Sequence, residues 1–250
     1  MLGLYRGLSA IGSRHLISHL ALAESFARRP DQLSARFALS VAQFSRYRNV
    51  DQPFHDKGPY AALPVSPPGT ISRTIDFAAQ LSARRRWSVA EHPELAFGYV
   101  DREPDCMRTN PGQPLEDGTP SKKAIVADLL LRDSNDGTPI VAELKIKADE
   151  DAFYGLIQAL AAAAHLVTAS QRLRLHNVYG YPLGTTGGPY LDVYVILFQH
   201  PMKGTRLAIL DRAKEIRYAL LETGSVNTLV RRIEFLHCDL VEGSIRFEAA

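Results

Sequence analysis

Asp128, Glu143 and Lys145 are the residues of this 250-residue chain whose types and spacing best suit chemistry. They stand in A-D-L-L-L and A-E-L-K-I-K, inside runs that are otherwise apolar. A carboxylate in such a run is costly to bury unless it is paired or binds a cation, so Asp128 needs an explanation that its leucine neighbours do not supply. Glu143 and Lys145 are two residues apart, and strand alternation puts both on one face. Two carboxylates beside a lysine suit Mg²⁺ (or Mn²⁺), a hard ion that takes oxygen ligands and keeps several waters. The lysine could then orient or activate an attacking water.

The elements that must position these residues are legible around them. Residues 70–88 run through Ile75, Phe77, Ala78, Leu81 and Trp87 after a capping Ser72, which predicts a helix. Three strand-like runs follow, Leu95–Val100, Ala124–Leu131 and Ile140–Lys147. The Asp136-Gly137 step between the last two is a hairpin turn signal. Asp149–Thr168 is rich in Ala and Leu and opens on Asp149, Glu150 and Asp151, as suits a helix N-terminus. Tyr190–Gln199 is apolar and β-branched enough for a buried strand.

Outside this stretch, residues 13–48 predict a helical hairpin broken at Arg29-Pro30-Asp31. Residues 51–69 carry five prolines and two glycines, a composition that opposes regular structure. The expected organisation is therefore a helical region with a Pro-rich linker over 1–69 and an α/β domain over 70–250. Within that domain the core spans 70–200 and an extension 201–250. The extension holds a helix over Arg206–Glu222 and short strands at Val230–Leu240 and Ser244–Glu248.

The order helix, three strands, helix, strand, together with Asp128 and then, after fourteen intervening residues, Glu143-Leu144-Lys145, resembles the PD-(D/E)XK nuclease superfamily. That resemblance implies a restriction-endonuclease-like αβββαβ core with a mixed central sheet. It also implies hydrolysis of phosphodiester bonds in nucleic acid, DNA in the first instance. Asp128 and Glu143 would hold the metal with the main-chain carbonyl of Leu144, and Lys145 would contact the attacking water or the scissile phosphate. Many members place a Gln on the following helix, and Gln158 in Y-G-L-I-Q-A-L matches it. Two departures stand out: Ala127 precedes Asp128 where the family name has Pro, and the 70–88 helix contains no Glu, although Glu91 and Glu94 follow it.

Further candidates for substrate contact are Lys147, on the Glu143 and Lys145 face, and Tyr154, on the Gln158 face of its helix. His165 shares that face and reads as part of a polar helix edge. Arg84-Arg85-Arg86 before Trp87 is a basic cluster with an aromatic neighbour, suited to backbone contact and stacking, or equally to a solvated helix end. Gly184–Gly188 lacks the Lys-Ser/Thr of a phosphate loop and reads as a turn.

Lys and Arg total 29 and Asp and Glu 27, a formal charge of +2 that argues against tight nonspecific binding to polyanions. The mean hides a surplus of positive charge in residues 1–50, where seven Arg face only Glu24 and Asp31. Cys106 and Cys238 make neither a disulfide framework nor a zinc motif. With no bilayer-length apolar run and no secretory pattern at the N-terminus, a cytoplasmic protein is expected. The length leaves room for a homodimer. A second reading of the same residues is a non-catalytic nucleic-acid-binding or assembly module. A third takes Glu143 and Lys145 as a solvated strand face.

Overall fold

The computed structural model describes residues 1–12, 15–46, 54, 71–104, 106, 126–148, 150–184, 188–222 and 225–250. The Pro-rich linker expected over 51–69 lies outside them apart from Phe54, as do most of the Gly184–Gly188 turn and the first residues of the Ala124–Leu131 run.

Helices α1 (Leu2–Ile11), α2 (Leu16–Arg28) and α3 (Pro30–Phe44) come first. Pro30 stands in the first turn of α3, where a missing N–H costs nothing. Next come α4 (Thr74–Ser82), β1 (Trp87–Val89), β2 (His92–Arg102), β3 (Leu129–Asp133) and β4 (Pro139–Ile146). The chain continues with α5 (Ala152–Leu166), α6 (Ala169–Tyr179), β5 (Leu191–Phe198), α7 (Gly204–Glu222), β6 (Val230–Val241) and β7 (Ser244–Ala249). The predicted helix over 70–88 is thus shorter than expected, and its last residues form β1. α1 and α6 were not anticipated: the apolar residues of α6 do not gather on one side, and only Gln171, Arg174 and Leu175 are buried.

The strands form one closed barrel in the order β1 to β7. β2, β3 and β4 pair antiparallel, β4, β5 and β6 pair parallel, and β7 returns antiparallel along β6. The ring closes where β1 meets β7 in parallel, with Val89 opposite Phe247. This corrects the expected restriction-endonuclease-like core, whose sheet would be open. The physical cause is the pair of strands at the two ends, β1 and β7, together with register irregularities that leave extra residues on β2, opposite β1 and at Val100, and on β6 at Arg231, adding bend and twist. Aromatic rings fill the interior: Phe97 meets both Tyr194 (6.1 Å) and Phe247 (5.0 Å), and Phe247 meets Trp87 (5.7 Å). α4 packs Phe77, Ala78 and Leu81 against this inner set.

Every residue of β4 and β5 is buried, as befits strands covered on both faces. Ile140, Ala142, Leu144 and Ile146 point inward, whereas Val141 points to the outer core. α5 lies on that outer face under α1, α3 and α7 and is apolar around nearly its whole girth, as a fully enclosed helix must be. Its Asp151 caps it by accepting from the Tyr154 amide (2.9 Å). Among the described residues no single helix is long and apolar enough to cross a membrane.

Candidate active site

The β3–β4 hairpin turns at Asp133–Thr138, where Gly137 takes a φ of 79° and donates to the Asp133 carbonyl. Its register pairs Leu129 with Ala142. One step further would put Asp128 opposite Glu143 on the same face, so the two acids separated by fourteen residues in the chain are cross-strand neighbours. β3 pairing has stopped at that point, and Asp128 Oδ2 instead accepts the Leu144 amide at 2.8 Å. The N–H and C=O of a strand residue point to the same edge, so the Leu144 carbonyl faces the side that Asp128 occupies.

Glu143 is 1% exposed, and neither of its carboxylate oxygens has a hydrogen-bond partner among the described residues. Its carboxyl is pushed well above the usual carboxylate range, first by burial and then by the charge of Asp128, with Lys145 offsetting only part of this. The solvated-face interpretation is thereby excluded for both Glu143 and Lys145, the latter being 3% exposed.

The Lys145 ammonium donates to Gln158 Oε1 at 2.5 Å and to Glu150, lies 3.6 Å from Glu143, and sits 5.2 Å from the centre of the Tyr154 ring. Burial alone would pull its pKa down, but Glu143, Asp128 and Glu150 outweigh burial and raise it above its ordinary value. Lys145 is therefore a fixed cation that donates hydrogen bonds and does not accept a proton. The helix spacing expected to bring Gln158 toward the strand does so. Glu150, just before α5, was overlooked because an acid at a helix N-terminus already has a local explanation.

A cleft of about 740 Å³ opens over the ends of β2, β3 and β4. Its walls include Asp128, Lys145 and Gln158 together with Arg73, Arg102 and Glu103, the last three unanticipated. The other sequence candidates do not line this cleft, although the Tyr154 ring flanks Lys145 from the helical layer. Lys147 is exposed beyond the end of β4, with a φ of 54° and its amide on the Phe198 carbonyl (2.8 Å). Tyr154 is 6% exposed and stacked on His19 in the helical layer. Arg84, Arg85 and Arg86 follow α4. Arg84 covers Trp87 (4.9 Å), while Arg85 and Arg86 line a separate groove with Tyr99 and Arg132. His165 is buried at the far end of α5 against Phe44 (4.9 Å).

Three carboxylates, Asp128, Glu143 and Glu150, surround the single ammonium of Lys145, while on the cleft wall Arg102 is already paired with Glu103 and Arg73 with Asp76. That excess of negative charge and the unpartnered Glu143 oxygens fit a hard divalent cation. No group of three or more His, Cys, Asp and Glu converges to hold a metal among the described residues. Two carboxylates, a main-chain carbonyl and water are nonetheless a donor set that Mg²⁺ accepts. Comparison with protein-family models, with curated proteins and with solved structures found no match to this chain.

Proposed function

We propose that this chain hydrolyses phosphodiester bonds of nucleic acid, DNA in the first instance, with the help of Mg²⁺ or Mn²⁺. The observation that carries the proposal is Glu143, a fully buried carboxylate without a hydrogen-bond partner among the described residues, set beside Asp128 and an ammonium pinned by Gln158 and Glu150. The likeness to PD-(D/E)XK nucleases contributes the residue constellation and not the architecture of the sheet.

Asp128, Glu143 and the Leu144 carbonyl would hold the cation. When bound, it would lower the pKa of a water and neutralise charge developing on the phosphate. Lys145, kept protonated by its acidic neighbours, donates a hydrogen bond to a phosphate oxygen or orients the attacking water. Gln158 and Glu150 hold the ammonium in position, which limits the reorganisation needed during reaction. Cys106 and Cys238 are both buried and form no disulfide framework, in keeping with a reducing compartment, and we place the activity in the cytoplasm.

Linear, circular and single-stranded DNA and RNA, each incubated with Mg²⁺, Mn²⁺ or EDTA, supply the test. Cation-dependent cleavage that disappears in Glu143→Ala and Lys145→Ala is expected. Cleavage that survives either substitution overturns the assignment. Binding of nucleic acid with no cleavage under any cation supports a non-catalytic module instead.

A further inference from the structure

Arg102 reaches the cleft because of a one-residue bulge. Along β2, Tyr99 is opposite Leu131, but Asp101 is opposite Leu130 and Arg102 opposite Leu129, so Val100 is the extra residue. Residues paired across an antiparallel ladder share a face. Leu131 and Leu129 belong to the inner core and Leu130 to the outer one. The bulge therefore sends Asp101 outward, where its carboxylate accepts from the Tyr179 hydroxyl at 2.5 Å, and turns Arg102 inward beside Leu129. Unbroken alternation from Tyr99 would have exchanged the two. Bulges of this kind commonly re-aim a side chain next to a functional site.

The segment after the bulge is tied to the carboxylate pair. Glu103 adopts a φ of 47°, uncommon for a residue other than glycine, and its amide donates to the Asp128 carbonyl at 2.9 Å. The Glu103 carboxylate accepts from the Arg102 guanidinium at 2.8 Å. Arg102 is 7% exposed, whereas the Glu103 side chain is 43% exposed, so the ion pair stands at the cleft wall with its acid reaching solvent. Lys145 projects from the outer face of the sheet and Arg102 from the inner face. Both cations line the same cleft.

We propose that Arg102 is the substrate-contacting residue that grips the scissile phosphate from the side opposite Lys145, exchanging Glu103 for the phosphate oxygens. The proposal rests on the nuclease reading above. A guanidinium fork matches two phosphate oxygens, which a lysine ammonium cannot do. Glu103 acts as the resident counter-ion that keeps Arg102 in this orientation.

Cleavage kinetics and the binding of short fluorescein-labelled single-stranded and duplex DNA, with Ca²⁺ replacing Mg²⁺ and across a KCl series, test this for Arg102→Ala, Arg102→Lys and Glu103→Gln. Thermal melts identify variants that fail to fold, for which Arg102→Lys and Glu103→Gln carry the decision. Arg102→Ala is expected to lower kcat by about 10²- to 10³-fold, the scale of one lost charge-stabilising donor. Its salt slope for binding should fall by about one. Arg102→Lys should keep the slope and still lose kcat, and Glu103→Gln should lower KM. If the wild type cleaves and folded Arg102→Ala stays within about twofold of it with an unchanged slope, the role of Arg102 is overturned and the nuclease reading stands. If the wild type binds without cleaving, the nuclease reading fails and the slope alone decides: a reduced slope supports Arg102 as a phosphate contact and an unchanged one overturns it. A wild type that binds none of these probes overturns both.

Discussion

Gly155 and Lys145 are packed so closely that a Cβ on Gly155 would lie 3.0 Å from Lys145 Cε and 2.9 Å from Val195 Cγ1. The first turn of α5 can therefore lie flat on β4 and β5 only because residue 155 has no side chain. Gly155→Ala would gain about 1 kcal/mol in helix propensity but must displace a buried valine and a pinned lysine, and overpacking of this kind costs about 1–3 kcal/mol. We expect a lower midpoint in urea unfolding, together with a loss of activity greater than the loss of stability, since Lys145 moves.

Glu143 is buried with no hydrogen-bond partner among the described residues, and Lys145 at 3.6 Å offsets only part of the cost, so its ionised form opposes folding. With a folded-state pKa raised above the ordinary 4.5, its contribution is fully favourable below that value and is lost as the pH rises toward the raised one. In EDTA at neutral pH, Glu143→Gln should melt higher than the wild type, each 1 kcal/mol appearing as about 2–4 °C. Mg²⁺ should raise the Tm of the wild type and leave that of Glu143→Gln almost unchanged. A wild-type Tm indifferent to Mg²⁺ contradicts the proposed cation site.

His165 behaves in the opposite sense. Burial, with a smaller contribution from Arg174, pulls its pKa down to about 3, so it is held neutral in the folded chain. The stability this confers is fully present above the ordinary value of 6.5 and drains away as the pH falls toward 3, by at most about 1.4 kcal/mol per pH unit. His165→Leu should flatten the acid limb of a stability profile measured by urea unfolding between pH 7 and pH 4, whatever its effect at pH 7.

Arg231 ties the barrel together at the end remote from the cleft. Its guanidinium lies 2.6 Å from both Asp133 and Asp192 and also pairs with Asp136, linking β6 to β5 and to the β3–β4 turn. Asp133 and Asp192 are both buried, and among the described cations Arg231→Ala would leave them only Arg232, with the Asn135 amide still donating to Asp133. A loss of about 3 kcal/mol is expected, the lower end of the range for orphaning a buried charge. Adding Asp192→Asn should recover part of it; a double variant no more stable than Arg231→Ala would show that the aspartate is not the strained partner.

Asp128, Glu143, Lys145 and Gln158 could be read from the chain because short-range periodicity governs each of them. Glu143 and Lys145 alternate on one strand, Asp128 stands within reach across a turn announced by Asp136-Gly137, and Gln158 follows on an alanine-rich helix. Arg102 could not be read, because one extra residue at Val100 inverts the parity that decides its face. The same limit hid the closure of the sheet. Trp87–Val89 is three residues long and carries no periodic pattern, and its partner Phe247 lies far away in the chain.

The chain by itself determined what is local: the succession α4, β2, β3, β4, α5, β5 around the site without β1 or α6, the position of the hairpin turn, and the clustering of two acids, a lysine and a glutamine. Local backbone geometry sets side-chain direction, so these survive without knowledge of distant contacts. Only the tertiary structure decided that the sheet closes into a barrel, that Glu143 is buried without a hydrogen bond among the described residues, that Lys145 stays charged among three carboxylates, and that Arg102 faces the cleft. Burial, field and ring closure are sums over residues far apart in sequence, and no window along the chain contains them.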